Sequence, residues 1–186
     1  LMGKAHAGYA HFAWDASEDR LARSKAAVDR ALAIDAQSPW AQWGLGYYYY
    51  WGRKDYENAY AAFSAAQKGL PSSSEIRTSL AFVRRRQGKF DEAALLLEQG
   101  IPLDPRNALA YYTLGETQAI LRRYQDAQTS LDRAVALSPD AQSAYCERSR
   151  VALLAGDVAA ARAALEAGKN KVASSETGIL RFFDAI

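Results

Sequence analysis

Residues 108–141 read ALAYYTLGETQAILRRYQDAQTSLDRAVALSPDA. Two apolar patterns lie in this stretch. In the first half Tyr111, Leu114, Gly115 and Gln118 recur at helical spacing; in the second Tyr124, Ala127, Leu131 and Ala134 follow the i, i+3, i+7, i+10 rhythm of one helix face. Pro139 stops the second pattern, because proline has no N–H to donate and its ring clashes with the preceding turn. The stretch predicts two helices joined by a tight turn.

Such a hairpin cannot bury its apolar face alone, and the rest of the chain supplies its neighbours. The pattern returns every 34 residues. Ala59, Ala93, Ala127 and Ala161 form one column, and Phe63, Leu97, Leu131 and Leu165 another. Ala66, Gly100, Ala134 and Gly168 follow, as do Tyr56, Phe90, Tyr124 and Val158, and Pro71, Pro105 and Pro139. Upstream, Leu80 matches Leu114, Ala81 matches Gly115 and Ser149, and Tyr111 matches Tyr145. Small residues let two helices approach closely, large ones fill the space between, and stacking of the units supplies the core.

These columns resemble the tetratricopeptide repeat (TPR) family, whose motif stands here as Leu114-Gly115, Tyr124, Ala127, Leu131, Ala134 and Pro139. The resemblance covers nearly the whole chain. It implies an all-α right-handed α-solenoid forming a single domain over 1–186. Five units are expected, at 5–38, 39–73, 74–107, 108–141 and 142–175, with the start of a capping helix at 176–186, a role that suits Phe182, Phe183 and Ile186. The second unit carries one extra residue: Gly46 to Ala81 is 35, whereas Tyr56 to Phe90 is 34, so the insertion lies between Tyr47 and Asp55. In the first unit, AAVDRALAID (26–35) reads as a helix and DASEDRLAR (15–23) as a long polar turn. Pro102 is expected to end its helix about one turn early. A narrower resemblance joins YYYYWGRKDYENA (47–59) and RRRQGKFDEA (84–93) to repeat regions of large bacterial regulators that carry kinase or cyclase modules; those catalytic domains are not in this chain.

The aromatic run WGLGYYYYWG (43–52) is the main candidate for recognition. By the resemblance, positions 2, 5, 9, 12 and 13 of each unit face a concave groove and positions 7, 8 and 11 pack inward. Trp40, Trp43, Tyr47, Tyr50 and Trp51 are then groove residues, Tyr49 lies in the core, and Tyr48 lies on the flank between units. The same columns give Thr78, Phe82, Arg85 and Arg86, then Tyr112, Glu116, Ala119 and Ile120, then Cys146, Arg150, Leu153 and Leu154. The expected partner-binding set is Trp43, Tyr47, Tyr50, Trp51, Phe82, Arg85, Arg86, Tyr112, Glu116 and Arg150. Such a groove, aromatic at one end, basic in the middle and aliphatic toward the C-terminus, suits a protein or peptide with acidic and apolar anchors. The competing reading is that the rings pack neighbouring repeats together.

Other functions find little support. The net charge of +2 gives no argument for nucleic acid or a membrane surface. No apolar run is long enough to cross a bilayer, and the opening LMGKAHAGYAHFAW lacks the aliphatic block of a signal peptide, so a soluble, cytoplasmic protein is expected. His6 and His11 are five residues apart, on different helix faces, so no metal pair is expected. Cys146 stands alone, and GLG at 44–46 lacks the strand and third glycine of a phosphate loop. No cofactor and no catalytic constellation is expected. Some TPR domains clamp the terminal carboxylate of chaperone tails with asparagines and lysines. The asparagine column here holds Ala13, Tyr47, Phe82, Glu116 and Arg150, so no such clamp is expected. The sequence therefore reads as a non-catalytic interaction module. A regulatory segment of a larger signalling enzyme and a homo-oligomerisation module are the alternatives.

Overall fold

The computed structural model describes residues 18–171; the histidines, the opening of the first unit and the expected capping segment 176–186 lie outside them. The described residues form nine α-helices and no strand: α1 (Glu18–Ile34), α2 (Pro39–Tyr47), α3 (Tyr56–Gly69), α4 (Ser74–Arg86), α5 (Phe90–Gly100), α6 (Ala108–Ile120), α7 (Tyr124–Leu137), α8 (Gln142–Leu154) and α9 (Val158–Lys171). A π-helical turn, Tyr48–Arg53, prolongs α2, and a 3-10 turn, Ile101–Leu103, prolongs α5. The chain divides into two compact units, residues 1–89 and 90–186.

In the first unit α1 packs on α2, α2 pairs with α3, and α3 packs on α4. Helix α1 begins at Glu18, so most of the expected polar turn is helical. Glu18 and Asp19 favour the positive end of the helix dipole, Asp19 pairs with Arg23 one turn on at 2.8 Å, and Leu21 is buried. Leu21 lies against Gly52, where a Cβ would stand 2.7 Å from Leu21 Cδ2. The α2–α3 pair closes on Gly46, because a Cβ there would come within 2.3 Å of the fully buried Phe63 ring. Side-chain caps set the helix starts: Asp55 accepts from Asn58 N–H at 3.1 Å, and Ser73 accepts from Ile76 N–H at 3.3 Å.

The second unit repeats the scheme with α6–α7 and α8–α9 hairpins, and α5 packed on α6. Gly115 takes the place of Gly46, and a Cβ there would stand 2.6 Å from Leu131 Cγ. Ala93, Ala127 and Leu131 are fully buried, in agreement with the 34-residue columns. Pro102 acts as expected: α5 stops at Gly100 after 11 residues, where α3 and α7 run for 14.

The turns between paired helices carry a further column. Lys54, Gly88, Arg122 and Gly156 are 34 apart, and all four have positive φ, from 54° to 83°. In three of these turns the following N–H, of Lys89, Arg123 or Asp157, donates to the carbonyl five residues back at 2.9 Å. In the first, Asp55 N–H reaches six residues back, to Tyr49 O at 3.0 Å. The extra residue of the second expected unit is thus taken up by the wide π turn.

Candidate functional site

The π turn decides where the tyrosines point. Counted forward from Gly46, Tyr48 falls in the column of Val83, Thr117 and Val151, all buried, and Tyr48 is buried with them. Counted back from Tyr56, Tyr50 falls in the column of the half-buried Arg84 and of Gln118 and Ala152, both buried. Tyr50 is accordingly 7% exposed, and Tyr49 is half-buried. The expected order, with Tyr49 inside and Tyr50 open to the groove, is corrected; Tyr48, expected on the flank between units, is buried. The wider turn rotates the residues after Tyr48 relative to an unbroken α-helix.

Trp43 and Tyr47, also expected in the groove, are each only 4% exposed. Both reach one hydroxyl on α4. Trp43 Nε1–H donates to Ser79 Oγ at 2.9 Å, and the Tyr47 hydroxyl lies 2.8 Å from the same atom. Ser79 sends its own proton to Glu75 O at 2.9 Å, so its oxygen accepts from both rings. Around this node Tyr47 makes an edge contact with Phe63 at 5.1 Å between centroids and lies 4.5 Å from Trp51. Burial holds the Tyr47 phenol at about 12. Tyr50 stacks on Phe82 at 6.2 Å and accepts from Arg86 Nε at 3.2 Å. Trp43, Tyr47 and Tyr50 are therefore the adhesive between α2 and α4 rather than a solvent-facing row.

What the first unit leaves at its surface is different. Trp40 is exposed, tilted against Trp43 at 5.8 Å. Trp51, Phe82 and Arg85 are half-buried and Arg86 is exposed. Arg53 is held to the Tyr48 hydroxyl at 2.8 Å and to Glu18, and Arg84 lies over the Tyr60 ring at 3.7 Å.

In the second unit the sequence placed Tyr112, Glu116 and Arg150 on one face. Tyr112 O–H donates to Glu116 Oε1 at 3.1 Å. Arg150 holds the buried Glu147 through Nε at 2.9 Å and through Nη2. Glu147 raises the Arg150 guanidinium first, with smaller contributions from Glu116 and Tyr112, so the four groups form one neighbourhood. Beside it opens an apolar cavity of about 320 Å³ between α6 and α8 over the end of α7, lined by Leu109, Tyr112, Ala134, Ser138, Ser143 and Ala144 among others. Leu109, Ile120, Leu153 and Leu154, all from expected groove columns, are exposed on α6 and α8.

Sequence reasoning singled out neither Ser79 nor the cavity, and it took Glu147, which is buried, for a lone groove or flank charge. Ser79 left a signal: a buried tryptophan and tyrosine need an acceptor, and Ser79 is a hydroxyl inside the apolar run of α4. Cys146 is half-buried, and burial pushes its thiol up. The described residues contain no cluster able to hold a metal and no helix long and apolar enough to cross a membrane.

Family models described as tetratricopeptide repeat match residues 50–117 and 118–174. The chain is built of tetratricopeptide repeats. Its all-α fold is that of TPR solenoids. Over 81 residues it is 36% identical to the Hsp70-Hsp90 organizing protein of Triticum aestivum, a match covering 44% of this chain but only 14% of that relative. Among solved structures it is similar to YrrB, a TPR protein with an unusual peptide-binding site, with TM-score 0.70 and 16% identity over 97% of this chain and 91% of that one. It is also similar to the first TPR of Spaghetti (RPAP3) bound to the HSP90 peptide SRMEEVD, with TM-score 0.62 and 20% identity over 66% of this chain and 96% of that one.

Proposed function

We propose that this TPR chain is a non-catalytic interaction module that holds a peptide or partner helix against the exposed face of its first helices. The observation that carries the reading is the apolar cavity between α6 and α8, whose lining includes Leu109 and Ser143, each at position 2 of its unit, and Tyr112 at position 5. Exposed Leu109, Ile120, Leu153 and Leu154 extend an apolar surface on the same two helices. In the first unit, Trp51, Phe82, Arg85 and Arg86, together with Trp40, remain the groove candidates. Trp43, Tyr47 and Tyr50 act behind them, as support. From the Spaghetti complex only the class of ligand carries over, a peptide.

The test is a display selection of peptides on the full chain, followed by calorimetric titration of the best binder against Leu109→Arg and Ser143→Arg. Both side chains lie at the rim of the cavity, so a folded variant with affinity reduced at least tenfold supports the reading. Unchanged affinity in both would remove this face from consideration.

A further inference from the structure

The face shared by α6 and α8 carries a band of charge beside its apolar cavity. On α6, Leu109, Tyr112, Glu116 and Ile120 stand at i, i+3, i+7 and i+11, on one side of the helix. On α8, Ser143, Glu147, Arg150 and Leu154 follow at i, i+4, i+7 and i+11. The two helices adjoin. Along each the order is the same: cavity wall at the start, charge in the middle, an exposed aliphatic residue at the end.

The charge in the middle is negative. Glu116 is the single charged residue of α6, and Arg148 of α8 pairs with Asp132 of α7 at 2.7 Å. Arg150 meets two carboxylates: Glu147, which it holds through Nε and Nη2, and Glu116, whose charge also raises the guanidinium. Two carboxylates around one guanidinium leave one negative charge in excess. The turns at either end of the face do not reverse that sign. Asp104, Arg106 and Asp140 lie at one end, and at the other Arg123 pairs with Asp91 while Arg122 is matched by Asp157. Tyr112 O–H donates to Glu116 at 3.1 Å, and the same residue lines the cavity, so cavity and negative band share a wall.

A cavity of about 320 Å³ stands at the small end of ligand sites, which run from roughly 300 to 1,000 Å³, and suits one large apolar side chain. Glu116 follows Tyr112 by about one helical turn, or ~6 Å, and Ile120 follows Glu116 by the same step. An extended chain advances about 3.3 Å per residue, so a side chain about two positions from the anchor falls at Glu116.

We propose that this face takes a peptide of mixed chemistry: a large apolar side chain in the cavity, a lysine or arginine beside Glu116, and a second apolar residue against Ile120 and Leu154. This deepens the reading of the face as a binding site and rests on it. It gives the second unit the opposite preference from the acidic anchor expected of the groove. The rival is a carboxylate at the start of α8, where the N-cap residue Ala141 brings no side-chain bond.

The test uses the full chain and an array of peptides in a serine–glycine background. Each carries Phe or Leu as anchor and, at varied spacing, one Lys, Gln or Glu. Retention is compared for wild type, Glu116→Gln and Glu116→Lys, each first shown to be folded by circular dichroism. Glutamine keeps an acceptor for Tyr112 O–H while removing the charge. At low salt, wild type should retain the best lysine peptide about tenfold more strongly than its glutamate counterpart, and the ratio should fall as salt rises. Glu116→Gln should bring the ratio near one, and Glu116→Lys should invert it; if the lysine variant does not fold, Glu116→Gln decides alone. Equal retention of the three charges, a preference for glutamate, or a lysine preference that survives Glu116→Gln would overturn the proposal. So would an array with no retained peptide, in which case the display selection still judges the cavity by itself. Retention indifferent to charge but lost in Leu109→Arg would keep the cavity as a binding site and remove only the basic anchor.

Discussion

The buried hydroxyl of Tyr47 makes stability depend on pH in a way that an exposed groove tyrosine would not. Its phenol is held at about 12 by burial, against an ordinary value of 10. The sign follows from proton counts. Below pH 10 the phenol is protonated in both states and stability is unaffected. Between 10 and about 12 the unfolded chain has lost the proton while the folded chain keeps it, so stability falls by about 1.4 kcal/mol per pH unit, levelling off above the folded value. Tyr47→Phe abolishes this dependence and leaves the ring contacts in place. At pH 8 the variant should be less stable by about 1 kcal/mol, the ordinary worth of one hydrogen bond, because Ser79 keeps Trp43 as a donor. The assay is urea unfolding followed by circular dichroism, with wild type and variant compared at half-unit steps from pH 8 to 11.5. Other tyrosines and lysines titrate equally in both proteins and cancel in the difference. The gap should close and reverse within the first pH unit above 10. A difference that stays flat across the range would mean that the hydroxyl meets solvent, and the buried placement of Tyr47 would fail.

The column of left-handed turns gives a reciprocal pair. Arg122→Gly should stabilise the protein by about 0.5–1 kcal/mol, and Gly88→Ala should destabilise it by about 1 kcal/mol, both read as shifts in urea midpoint. At Gly88 a Cβ meets nothing within 4 Å, so any loss there is conformational. Gly46→Ala should cost about 1–3 kcal/mol in the same assay, because the added methyl drives into the Phe63 ring in a closed core; a neutral result would show that the ring can move. The peptide SRMEEVD, bound by the first TPR of Spaghetti, should show no saturable binding by calorimetry, since Tyr47, Phe82, Glu116 and Arg150 occupy the clamp asparagine column among the described residues.

The periodic part of this molecule was legible because each column answers one local demand. Ala93, Ala127 and Ala161 stand where helices touch, and Leu97 and Leu131 fill the space beside them, so spacing alone marked them. Pro102 shortened α5 for a reason carried by proline itself. The facing of Trp43, Tyr47 and Tyr50 was not legible for a different reason. The extra residue was visible in the count, but whether it loosened the turn or widened the helix is a choice made by packing, and the π turn rotates the following rings. Position 5 was likewise assigned outward, yet Trp43 and Thr78 are buried there, one bonded to Ser79 and the other to Ser74 O at 3.0 Å. In the second unit Tyr112 and Glu116 fall together as the columns implied. The cavity beside them depends on a ring of alanines and serines, which leave no mark in a hydrophobic pattern.

The Ser79 node has a consequence for how far these repeats can be treated as interchangeable parts. Stepping by 34, the place of Ser79 is taken by Thr113 and then Glu147. Thr113, like Ser79, gives its proton to the carbonyl four residues back, at 2.7 Å, but carries a methyl group beside its oxygen, and Glu147 is committed to Arg150. A segment carrying Trp43 and Tyr47, spliced ahead of either of those helices, would meet an acceptor of different length, branching or charge. The order of the repeats is therefore written into one hydroxyl, and shuffling or consensus averaging of this chain would erase an address that only the pairing of residues 39–53 with residues 74–86 can read.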